Sequence, residues 1–453
     1  MNETALRTSG QFRLILALAL FVRAICWTMA AGDPQRFLTV DALQYMALAD
    51  DLRAGYLDPS SETFVTGLIR TPLYPMFLGA LLFLFHGSVP AAIAAQILLA
   101  LATIWLTCAL ADRLVGRRAA LVCGLVLALD PVSALFSCLV QPETLFTLLL
   151  VAGVSAWLTA LERGDRGLAA GAGLLLGLAA LTRPIGLFIP LCLSATALLT
   201  PIRRRAPLVL ILLLTGGIPI GAWSAKNWLL TGFPVFSIAG HSSLFDYRAA
   251  GALAEDEGIS LEEARARIWQ RLLAIKPVAR NAAELSSRQR GLALTILAEH
   301  PRGALKMMLR GVTHMMTGTG LTALSNLMGD PSPADVSEPW KQAAQALQAL
   351  ILAVVYLAVA RGVYLLWVRG DWLTLGLTLG AVAYLALLSA GPEANTRFRF
   401  PATPFLAILA GLGFAGSFTE KKAGAQPWRA GSRNVGPQEH VGPTTQTRKP
   451  AAP

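Results

Sequence analysis

Charge is what this sequence has least of. Only 14% of its 453 residues are charged while 55% are hydrophobic, against roughly a quarter charged in an ordinary soluble domain. That excludes a soluble globular chain. Cysteine is scarce too: Cys26, Cys108, Cys123, Cys138 and Cys192 all lie inside apolar runs without CxxC spacing, which argues against disulfides and metal ligation. There is no HExxH, no Walker lysine motif and no GxGxxG opening a strand–helix unit. A group transferred at the far face of a membrane would then come from an activated lipid and not from a cytosolic nucleotide. The net charge of +11 comes from short basic clusters between apolar runs and from a polar tail. That arrangement orients membrane spans and does not suit nucleic acid.

What the chain has instead is a series of apolar runs of roughly 16 to 25 residues, long enough to cross a bilayer. The fold class is therefore an all-α polytopic membrane protein, a bundle of about ten spans with a range of nine to twelve. The first run, Leu14 to Ala31, has no processing site after it and reads as a retained span. Arg7 and Arg13 precede it and Asp33, Asp41, Asp50, Asp51 and Asp58 follow, so the N-terminus is expected in the cytoplasm and the loop 32–89 outside. The run Thr71 to Phe85 covers only about 22 Å as a helix and opens with Pro72 and Pro75. It is expected to lie on or dip into the outer leaflet, as a juxtamembrane helix. Spans at about 90–111, 119–140, 144–161, 168–182, 185–200 and 207–230 then put each basic turn in the cytoplasm. Residues 231–340 carry charged helical patterning and an amphipathic stretch over 303–327, read as an outer-face helical insertion with an interfacial helix; a shallow crossing over 303–322 stays open. Spans at about 343–360, 372–391 and 401–418 complete the bundle, and the tail 419–453 is expected to be disordered and cytoplasmic. No internal repeat is evident, which disfavours a secondary transporter.

This topology places Arg70, Arg183, Lys226, Arg397 and Arg399 near the outer boundary, where cations are disfavoured. Together they suit a lipid phosphate; singly, each could snorkel to headgroups. Asp41 is the first acid candidate, though an Asp opening a helix is also a good N-cap. Glu143 is the second, and a Pro-Glu pair in a first turn is also favoured by geometry and the helix dipole. Tyr45 lies one turn beyond Asp41, and His241 in the outer region is a substrate-binding, metal-binding or structural histidine. A divalent cation shared by Asp41 and Glu143 is compatible with two carboxylates, but no ligand cluster marks it.

The segments in order resemble the GT-C superfamily of integral-membrane glycosyltransferases, which includes protein O-mannosyltransferases and the transferases that add aminoarabinose or galacturonic acid to lipid A. The residues carrying the resemblance are Asp41-Ala-Leu-Gln-Tyr45 with Ala49, Leu52 and Gly55; Arg70-Thr-Pro-Leu-Tyr74-Pro75; Gln141-Pro-Glu143; Thr182-Arg-Pro184; Lys226-Asn227-Trp228; and Arg397-Phe-Arg-Phe-Pro401 with Pro404. Ala42 departs from the family's Asp-Glu pair. The resemblance implies a GT-C bundle: residues 1–230 as the catalytic membrane module, 341–418 as the closing spans. It also implies transfer of a sugar from a polyprenyl-phosphate donor to a lipid A, lipid-linked glycan, wall polymer or protein acceptor on the periplasmic face of a bacterial inner membrane. Asp41 would be the base or orienting carboxylate, and Glu143 would orient the acceptor or Asp41. The five cations would hold the donor phosphate, and Tyr45, Tyr74, Asn227 and His241 would position substrate. An O-antigen polymerase or ligase, and a lipid-linked-sugar flippase, are the rival readings.

Overall fold

The structure is a computed structural model that describes residues 10–54, 64–199, 205–330 and 338–416. The tail 419–453, Gly55, and Arg203 and Arg204 of one basic turn fall outside the described residues. Within them the secondary structure is helical. In chain order the helices are α1 Gly10–Ala30, α2 Val40–Ala54, α3 Phe64–Ile69, α4 Leu73–Leu84, α5 Val89–Val115, α6 Arg117–Leu129, α7 Pro131–Ser137, α8 Glu143–Arg163 and α9 Arg166–Thr182. Then come α10 Ile189–Ser194, α11 Arg205–Thr231, α12 Ala250–Glu257, α13 Leu261–Leu273, α14 Ala282–Glu299, α15 Pro301–Thr317 and α16 Leu321–Met328. The last three are α17 Pro339–Val368, α18 Trp372–Ser389 and α19 Thr403–Ala415.

Among the described residues seven helices are long and apolar enough to cross a membrane, eight if α6 and α7 form one bent span. Each of the ten predicted spans has a helical counterpart. Those at 168–182 and 185–200 correspond to shorter apolar helices, and that at 119–140 is the bent pair. The run at 71–85 forms α4, whose 12 residues reach about 18 Å, too short to cross. The amphipathic stretch is divided: α15 ends before Gly318 and α16 begins at Leu321, and neither is among the spanning helices.

The bend has a chemical cause. Pro131 has no N–H, so the carbonyl of Leu127 one turn earlier loses its helical donor, and the chain turns by 56° at Asp130. Asp130 then caps α7, its Oδ2 accepting from Ser133 N at 2.7 Å. Arg23 of α1, only 1% exposed, donates Nη2 to the freed Leu127 carbonyl at 3.5 Å and Nη1 to Ala19 O at 3.2 Å. A guanidinium inside a span is costly unless it meets acceptors; the break in α6–α7 supplies one. Elsewhere the bundle closes on small residues, which let helix backbones approach. A Cβ on Gly177 of α9 would stand 2.5 Å from Gly216 O of α11.

At one end of the bundle three connections are stitched together. Val140 N donates to Phe37 O at 2.9 Å, and Asn326 Nδ2 of α16 donates to Arg36 O and Leu38 O. Ile238 N donates to Leu68 O, and Ser237 Oγ to Ile69 O at 2.7 Å. Thr396 Oγ1 donates to Thr319 O at 2.9 Å. These bonds fasten residues 36–38 to 140 and 326, 68–69 to 237–238, and 396 to 319.

Candidate active site

Asp41 lies in the first turn of α2, and both of its carboxylate oxygens are engaged by arginines from distant segments. Arg70, just after α3, donates Nη2 to Oδ1 at 2.5 Å, and Arg397 donates Nη1 to Oδ2 at 2.7 Å. Arg397 Nη1 also reaches Gln141 Oε1 at 3.0 Å, and its Nε lies 2.8 Å from Glu143 Oε1. The same Glu143 oxygen accepts from Arg183 Nη1 at 2.7 Å. The result is one cluster, Arg70–Asp41–Arg397–Glu143–Arg183, with three guanidiniums to two carboxylates. Its formal charge is +1.

Each member is held by its own element. Arg70 is steadied by Nε to Gln44 Oε1 at 2.9 Å and Nη1 to Tyr45 OH at 3.3 Å. Glu143 opens α8 directly after Pro142, is fully buried, and its Oε2 has no hydrogen-bond partner in the structure. Arg183 is the residue on which α9 ends. Arg397 lies in the 3₁₀ turn Thr396–Ala402. The ring of Phe398 lies 5.3 Å from both the Arg183 and the Arg397 guanidinium carbons, an apolar spacer between two cations. Gln141 closes the far side, donating Nε2 to Thr39 Oγ1.

Burial opposes ionisation of Asp41, but Arg397 and Arg70 outweigh it and hold the carboxyl below its ordinary value. Asp41 is therefore ionised throughout the neutral range. Burial pushes the Tyr45 hydroxyl up, so it remains a neutral phenol beside Arg70.

The other predicted site residues lie around this cluster without joining it. Tyr74 is buried, stacked edge-on against Tyr45 at 5.0 Å, with its OH on Gln96 Oε1 at 3.1 Å; it packs behind the site. Lys226 lies over the Trp223 ring at 4.0 Å and donates to Asn227 Oδ1 at 3.1 Å. Asn227 Nδ2 donates to Val235 O and Phe236 O, so it fastens α11 to the segment that pairs with residues 68–69. His241 Nδ1 meets Ser286 Oγ at 2.8 Å, and burial, with Arg290, lowers its pKa. Arg399 turns the other way, donating Nη1 to the carbonyls of Met316 and Gly318. Three of the five cations thus meet the two acids, and two serve neighbouring backbone and rings. Gln44 and Phe398 were not singled out from sequence, although each lies next to a residue that was.

A divalent cation does not suit this donor set. Two carboxylates are already matched by three guanidiniums, and among the described residues no group of three His, Cys, Asp or Glu side chains is gathered for a metal.

Known proteins give the fold its place. The archaeal oligosaccharyltransferase AglB from Archaeoglobus fulgidus, in complex with an inhibitory peptide and a dolichol-phosphate, aligns with a TM-score of 0.50 over 88% of this chain and 50% of that one, at 12% identity. The chain has the fold of the GT-C superfamily. It spans about half the length of that oligosaccharyltransferase. ArnT from Cupriavidus metallidurans, bound to undecaprenyl phosphate, aligns at 16% identity over 90% of this chain and 78% of that one, with a TM-score of 0.44. The family described as dolichyl-phosphate-mannose-protein mannosyltransferase matches residues 70–223. That stretch of the GT-C bundle carries Arg70, Glu143 and Arg183, while Asp41 and Arg397 lie on either side of it. No curated protein matches the sequence significantly.

Proposed function

We propose that this GT-C protein transfers a sugar from a polyprenyl-phosphate-linked donor to an acceptor hydroxyl at the periplasmic face of a bacterial inner membrane, with both termini cytoplasmic. The observation that carries the reading is the cluster of Asp41 and Glu143 with Arg70, Arg183 and Arg397, and its surplus of one positive charge. The family matched over residues 70–223, and the dolichol-phosphate held by AglB, support a lipid phosphate as the anion.

The chemistry follows from the charges. The acceptor oxygen attacks the anomeric carbon, the bond from that carbon to the phosphate oxygen breaks, and the polyprenyl phosphate leaves with the electron pair. Arg70 and Arg397 are two-donor forks that can exchange a carboxylate oxygen for a phosphate oxygen, and Arg183 adds charge beneath them. Partly withdrawn from water, they stabilise the leaving phosphate as its charge grows. Each arginine drawn to the phosphate relaxes its hold on Asp41. The carboxylate becomes more basic as the acceptor's proton arrives, the role of a general base. Glu143 keeps Arg183 and Arg397 in place while this happens.

The decisive experiment follows radiolabelled sugar from a polyprenyl-phosphate donor to membrane acceptors, with donor binding measured in parallel. Asp41→Asn is expected to cut transfer by about 100-fold or more while still binding donor. Undiminished transfer by the variant would remove Asp41 from the chemistry. Saturable movement of the lipid-linked sugar with no covalent product would decide for a flippase.

A further inference from the structure

A groove of about 540 Å³ opens between α12, α15 and the turn at 391–394, a volume within the roughly 300–1,000 Å³ of small-ligand sites. Helix α15 presents Met307, Arg310, Gly311 and His314 to it, the i, i+3, i+4, i+7 spacing of a single helical stripe. From α12 comes Glu255, which pairs with Arg310. The wall is thinned by glycine: a Cβ on Gly311 would stand 2.5 Å from Gly391 O.

The groove backs onto the arginine cluster. Ala394, in its wall, shares a small apolar core with Met315, and Met316 and Phe398 pack against that core. Phe398 is the ring that separates Arg183 from Arg397. The groove and the guanidiniums therefore border the same small apolar core, and Arg397 follows Ala394 by three residues.

We propose that this groove is the docking site of the acceptor, and that it takes the polyhydroxylated head of a glycan. The inference rests on the transferase reading above. A carboxylate, a guanidinium and an imidazole supply donors and acceptors for hydroxyl groups, while Pro392, Ile259 and Leu261 suit the C–H face of a sugar ring. The formal charges of Glu255 and Arg310 cancel, so nothing in the lining selects an ionised ligand. A lipid chain would cover this ion pair with hydrocarbon and take it out of water, which is costly. The walls are helices and a turn, with no strand edge on which an extended peptide could pair.

The test uses the full chain in nanodiscs, with His314→Trp to fill the groove and Arg310→Gln to remove a donor; both side chains lie at the surface. Binding is read on an array of neutral oligosaccharides and, separately, with undecaprenyl phosphate. The wild type is expected to retain a subset of the glycans. Both variants should bind them at least tenfold more weakly, with undecaprenyl phosphate affinity unchanged within twofold. Glycan binding by His314→Trp equal to wild type would overturn the proposal. So would a wild type that retains no glycan, or that retains unglycosylated serine- and threonine-containing peptides instead. Failure of the transferase reading looks different: the wild type would then form no covalent sugar product from the lipid donor, while the groove variants still lost the glycan.

Discussion

Glu143 shares one carboxylate oxygen between Arg183 and Arg397 and is closed off from solvent. Arg183→Ala breaks one of the two buried pairs on that oxygen and leaves Arg397 to hold it alone, so it should lower stability by about 3 kcal/mol, and adding Glu143→Gln should recover much of that. Unfolding of the purified single and double variants in detergent measures both; equal stability of the two would show that Arg183 is not the partner that matters. Asp41 makes a pH prediction. Its folded pKa lies below the ordinary value, so its stabilisation is complete above about pH 4 and is lost as pH falls through the folded value. The stability gap between wild type and Asp41→Asn should therefore be flat from neutral pH down to about pH 4 and shrink only below that. A gap that closes near pH 6 would contradict the arginine clasp. At this scale the acids were legible in the sequence because a carboxylate beside an apolar run is conspicuous. The direction of Arg399 was not. Arg397 and Arg399 lie on a 3₁₀ turn of about three residues per turn, so two positions apart they point about 120° away from each other. On a strand they would have shared a face.

Hydropathy reads through the Asp130-Pro131 break as one span, because the residues on both sides of it are apolar. Nothing in the hydropathy pattern ties Arg23 to Pro131. The structure makes them one feature, a broken helix whose freed carbonyl is met by an arginine from the neighbouring span. Arg23→Leu and Pro131→Ala should accordingly be coupled. The leucine change should destabilise the wild type more than it destabilises the Pro131→Ala chain, in which residue 131 donates to Leu127 again. A double-mutant cycle is expected to give a coupling of about 0.5 kcal/mol or more; strict additivity would separate the two residues. The insertion was legible as helical from its charge pattern, but its joints were not, since Asn326 and Ser237 bond to backbone carbonyls and a carbonyl carries no sequence signal.

Among the described residues, the charged partners of the candidate site gather at the end where residues 231–330 leave the bundle, and the basic turn at Arg163 and Arg166 lies between the opposite ends of α8 and α9. The native cysteines are buried, apart from Cys192 on the surface of α10. Ser260→Cys and Arg166→Cys, both at exposed positions, therefore report orientation. A membrane-impermeant maleimide added to spheroplasts should label position 260 and not 166. The reverse pattern would place the arginine cluster in the cytoplasm and remove the lipid-donor argument.

The contact between Asp41 and Arg397 spans 356 residues, and that separation bears on how the protein is made. At roughly 5 to 20 residues per second of synthesis, the arginine emerges roughly 20 to 70 s after the aspartate. Through that interval the nascent chain holds an acid and one of its arginines in the bilayer without the partner that completes them. A chain ended by a premature stop before residue 397 would be inert however much of its bundle had inserted. Activity would thus appear only after residue 397 has been made.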